Sequence, residues 1–111
     1  MWVVSEQGFY SVVIDSERAG FVLVRARREE DLRRLSIPGG RRKIAKTPLA
    51  DYPFRIRLLK RDWATAVRRM AAKIDYPNFK SKIAEAGDAS RDKAYANVWA
   101  DLMAIERERK E

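Results

Sequence analysis

The spacing of apolar residues changes near residue 60, and that change sets most of what this chain can fold into. Up to Lys60 the aromatic and β-branched residues come in short runs bounded by Gly, Pro and Asp. From Asp62 onward they recur at intervals of three and four. A strand repeats its face every second residue, a helix about every 3.6. Early strands followed by late helices predict an α+β fold in which an antiparallel sheet of about four strands carries helices on one face. The expected order is ββαββααα, in a single domain over residues 1–111 with a frayed tail from 105 to 111.

The individual elements follow from local signals. Phe9 to Asp15 and Phe21 to Arg28 read as two strands of a hairpin, with Gly20 supplying a positive φ in the turn. Trp2-Val3-Val4 adds a short strand before Gly8, or continues the first strand through a bulge. Glu29 to Leu35 reads as a short helix, acidic at its start and basic at its end, which suits the helix dipole. Arg41 to Thr47 is a weak strand. In Pro53 to Lys60, Phe54, Ile56 and Leu58 alternate with Arg55, Arg57 and Leu59. Asp62 caps a helix to about Ile74 whose Trp63, Ala66, Val67, Met70, Ala71 and Ile74 share one face. Two further helices are expected, one from Pro77 to Ala86 and one capped by Ser90. The second places Ala94, Tyr95, Val98, Trp99, Leu102 and Ile105 on one side, and Trp63, Tyr95 and Trp99 are assigned to packing.

The chain has no Cys and no His, which removes thiolate nucleophiles, imidazole bases and zinc fingers together. No cofactor, metal or catalytic residue is assigned. No apolar run approaches the length a membrane helix needs, and Met1 to Glu6 lacks the pattern of a signal peptide. The expected location is therefore cytoplasmic, with no membrane partner.

Charge narrows the search further. The formal net charge is +8, and residues 25–73 alone hold 16 Lys and Arg against 5 Asp and Glu. Residues 75–111 hold 7 against 8. An anion-binding surface belongs on the middle of the chain. Arg outnumbers Lys 16 to 8, as a GC-rich genome also produces at exposed positions, so charge alone marks no site.

The strand alternation does better. If Phe54, Ile56 and Leu58 face the helices, Arg55 and Arg57 face away; by the same logic Arg25 and Arg27 leave the core face of the second strand. These four arginines would share one surface, with Phe21 or Tyr10 among them, flanked by Arg41, Arg42 and Lys43 and by Lys60-Arg61. Guanidinium forks suit phosphate, and aromatic rings on a sheet can stack bases. The aromatic consensus of an RNA-recognition motif is missing. Polar faces are also ordinary in antiparallel sheets.

Asp51-Tyr52-Pro53 and Asp75-Tyr76-Pro77 repeat a tripeptide at the start of new elements. Asp favours turns and the residue before Pro favours extended backbone, so both read as structural punctuation. The sharper reading, paired catalytic carboxylates, needs Asp51 and Asp75 to converge.

Gly8 to Val13, Val24 to Arg27, Asp51 to Arg55, Ile74 to Lys80 and Tyr95 with Val98-Trp99 resemble a group of small bacterial proteins of unknown function. The likeness spans residues 1 to about 103 and implies no activity, cofactor or partner. The expectation is a non-enzymatic binding module whose basic sheet face, with Arg25, Arg27, Arg41, Arg42, Lys43, Arg55 and Arg57, contacts nucleic acid. The alternative is a regulatory module for an acidic protein, and a carboxylate enzyme is the third reading. An edge strand, Arg41 to Thr47 or Trp2 to Val4, offers a route to a homodimer.

Overall fold

Two strands form a hairpin, β2 (Phe9–Ile14) and β3 (Phe21–Ala26), paired with Val12 opposite Val24. The connecting turn runs through Gly20 at φ +80°, the left-handed conformation expected there. Before the hairpin lies β1 (Trp2–Val4), paired antiparallel with β2 through a turn at Ser5–Gly8. After it come α1 (Glu29–Arg33), the two-residue β4 (Ala45–Lys46), β5 (Phe54–Leu59) and α2 (Lys60–Ala72). The sheet order is β1-β2-β3-β5-β4, every pair antiparallel. The fold is α+β, with five strands instead of four because Trp2–Val4 forms a strand of its own.

This computed structural model describes residues 1–106, and its contacts cluster into two units, Met1–Ile74 and Asp75–Glu111. In the first, Val12, Val22, Val24, Ala26, Ile56 and Leu58 form one buried face of the sheet. Leu32 from α1 and Trp63 and Ala66 from α2 join the same core. Both helices thus pack on one side, as the alternation of β5 requires. The second unit contains α3 (Phe79–Glu85), α4 (Ala89–Leu102) and a 3₁₀ turn, Met103–Ile105. There Phe79 stacks on Tyr95 with ring centres 5.9 Å apart. The rest of the expected frayed tail, residues 107–111, lies outside the described residues. No helix among the described residues is long and apolar enough to cross a membrane.

Several boundaries differ from expectation for local reasons. Strand β5 runs straight into α2, so Leu59 is the N-cap and Asp62 falls in the first turn. There it still complements the dipole and pairs with Arg42 at 3.5 Å. Asn78, not Pro77, starts α3, accepting from the Ser81 N–H at 2.9 Å. Asp88, not Ser90, caps α4 through the Arg91 N–H. Ile74, expected on the apolar face of α2, and Trp99, assigned to packing, are both exposed.

Tyr10 is fully buried on the helix side and donates from its hydroxyl to the Asp31 carbonyl at 2.6 Å. This bond ties β2 to α1. Tyr10→Phe keeps the ring and leaves that carbonyl without the bond, which should cost about 1–2 kcal/mol in urea unfolding. A loss below about 0.3 kcal/mol would mean the carbonyl finds an equal partner.

Candidate functional site

The sheet face turned away from α1 and α2 is assembled by register. Trp2 lies opposite Ser11, Ser11 opposite Arg25, and Arg25 opposite Arg55. These four residues form one row across β1, β2, β3 and β5. Leu23 and Arg57 form the next row along. Arg27 follows β3 directly, one alternation beyond Arg25.

Arg25 and Arg55 are thus direct cross-strand neighbours of like charge, an arrangement that destabilises a sheet unless something offsets it. No acid offsets it among the described residues, where Arg25, Arg27 and Arg55 have no ion pair. Arg25 instead donates from Nη2 to Ser11 Oγ at 2.8 Å and lies over the Tyr52 ring, 4.8 Å from its centre. Arg27 lies over the same ring at 4.9 Å. Arg55 donates from Nη2 to the Tyr52 carbonyl at 3.2 Å, while its buried Nε has no hydrogen-bond partner among the described residues. One tyrosine therefore orients three guanidinium groups. Ring and carbonyl contacts aim a cation without removing its charge.

Arg57 is different. Its Nε meets Asp15 Oδ2 at 2.9 Å and its Nη2 meets Glu17 Oε2 at 2.9 Å. Two carboxylates from the β2–β3 turn neutralise it, so it holds that turn and adds little field. Arg42 is also committed, donating to the Pro38 carbonyl at 2.9 Å and pairing with Asp62 of α2. It fastens the 38–42 loop to the helix. Together with Leu23, Lys43, Ala45 and Arg55, these two arginines border an open groove of about 430 Å³ at the β5 edge. Lys43 is exposed and has no ion pair among the described residues. Arg41 does not line that groove; it borders a neighbouring small cavity with Leu32, Leu35 and Ile37.

The aromatic part of the face comes from residues that the sequence marks only as strand or punctuation. Trp2 is 72% exposed and meets Phe9 edge-on, with ring centres 5.9 Å apart and planes at 87°. Phe9 is tilted against Tyr52 at 6.3 Å. Trp2, Phe9 and Tyr52 thus form a chain of rings ending at Arg25 and Arg27. Of the aromatics expected here, Tyr10 belongs to the core, and Phe21 carries the Arg18 guanidinium 4.0 Å from its ring centre.

Tyr52 shows where strand alternation stops being a guide. Within β5, Phe54 packs against the core and Arg55 faces away from it. Carried back without a break, that alternation would send Tyr52 to the core side with Phe54. Its ring lies instead beside Arg25, Arg27 and Phe9. The turn before β5 breaks the period and delivers the ring to the opposite face.

Asp51 is exposed in that turn, within the first unit. Asp75 belongs to the second unit and pairs with Lys82 at 3.2 Å. Comparison with protein-family models, curated proteins and solved structures finds no match to this chain.

Proposed function

We propose that this protein is a non-enzymatic nucleic-acid-binding module whose contact surface is the sheet face centred on Arg25, Arg27 and Arg55. One observation carries the reading. Arg25 and Arg55 oppose each other across β3 and β5 with no carboxylate between them, while Arg57, one row away, has two. A phosphate seated between the first pair would relieve their repulsion. Tyr52 holds the forks in place beforehand, so less side-chain freedom is lost on binding.

Three cations acting on phosphates predict a measurable salt dependence. The logarithm of affinity should fall against the logarithm of salt with a slope of about −2 to −3. Arg27→Ala should make that slope shallower by about one, whereas Arg68→Ala, on exposed α2 surface, should leave it unchanged. A slope near zero for the wild-type chain would overturn the reading. So would equal competition by polyglutamate, which points to an acidic protein as the partner.

A further inference from the structure

We infer that the nucleic acid this face takes is single-stranded, with a base stacked on Trp2 and the adjoining phosphates held by Arg25 and Arg27; the inference rests on the reading above. The aromatic and basic parts of the face are laid out in sequence. The Trp2 row runs from an exposed indole on β1 through Ser11 to Arg25 and Arg55. At about 4.8 Å per strand, Trp2 and Arg25 stand roughly 10 Å apart across the sheet. A nucleotide offers the same two chemistries, a flat ring at one end and an anion at the other.

Trp2 is built as a platform. The Val12 N–H donates to the Met1 carbonyl at 2.8 Å, so the strand is fastened just before the indole. Phe9 braces it edge-on from β2. What remains is an indole 72% exposed in a fixed position. Tyr52 cannot serve in the same way, because Arg25 and Arg27 already lie over its ring.

A duplex fits this arrangement poorly. Its bases are stacked inside, and their edges are reached through a major groove about 12 Å wide that admits a helix or a two-stranded ribbon. A sheet of five strands spans roughly 19 Å. It reaches only the backbone of a duplex, and the aromatic row has nothing there to stack on. Single strands offer their ring faces, and each stacked base contributes substantially whatever its sequence.

The test uses the full chain, a fluorescein-labelled oligo-dT strand and a hairpin duplex of mixed sequence, at low salt. The wild-type protein should bind the single strand at least about tenfold more tightly than the duplex. Trp2→Ala should weaken single-strand binding roughly 10- to 100-fold and change duplex binding little, and Trp2→Phe should restore most of the loss. A photocrosslink from a 5-bromodeoxyuridine strand to the wild-type chain should map to Trp2, which keeps the test open if Trp2→Ala folds poorly. Equal binding of both forms, with no crosslink at Trp2, would overturn the stacking inference and leave the nucleic-acid reading standing. Failure to bind either form would overturn both.

Discussion

Gly8→Ala should destabilise the first unit by about 3 kcal/mol or more, one of the largest single-methyl effects the molecule offers. A Cβ built at Gly8 would lie 2.7 Å from Asp31 Cγ, 2.8 Å from Asp31 Cβ and 2.8 Å from the Tyr10 hydroxyl. None of these is the end of a loose side chain. Asp31 is 2% exposed; its Oδ2 accepts from the Phe9 N–H at 3.1 Å and its carbonyl accepts from Tyr10. The methyl group must therefore displace a buried carboxylate and the hydroxyl beside it, disturbing two hydrogen bonds as well as packing. The melting temperature should fall by at least about 10 °C. Gly8 is needed for close approach and not for backbone conformation, since its φ is not positive. A loss below about 0.5 kcal/mol would show that β2 and α1 can separate without cost.

That contact was invisible in the sequence, where Gly8 and Asp31 stand 23 residues apart. The layout of strands and helices was legible because Phe54 to Leu59 and Trp63 to Met70 keep clean periods of two and about 3.6. Phe9 to Ile14 does not. Both of its faces are largely apolar, so alternation could not say whether Phe9 or Tyr10 faced the core. The side shared by Arg25, Arg55 and Arg57 followed from period alone. Their separate fates did not, because Asp15 and Glu17 reach Arg57 from another strand's turn, and register decides which arginine they meet. Tyr52 was hidden for a related reason. Asp51-Tyr52-Pro53 does form a turn, yet the same ring also orients Arg25 and Arg27. Local sequence reports the turn, and only the folded sheet reports the second use.

Arg55→Glu should abolish most binding while changing the protein's stability little. In the native sheet Arg25 and Arg55 face each other as like charges. A glutamate at 55 would convert that repulsion into a cross-strand attraction, worth roughly 0.2–1 kcal/mol. Against this stands the loss of one hydrogen bond to the Tyr52 carbonyl, about 0.5–1.5 kcal/mol for a partly exposed group. The two nearly cancel. For a phosphate ligand nothing cancels, because the substitution removes a cation, installs an anion and engages Arg25 internally. Single-strand affinity should fall roughly 100-fold at low salt, and the salt slope should become shallower by about two as both arginines are lost to the ligand. Urea unfolding and an anisotropy titration on the same preparation check both halves. A structural arginine would behave the other way, losing stability with binding following only as far as the folded fraction falls. A residue whose replacement costs binding and little stability is the signature expected where function, not folding, selects it. Unchanged affinity in a folded Arg55→Glu protein would remove this face from consideration.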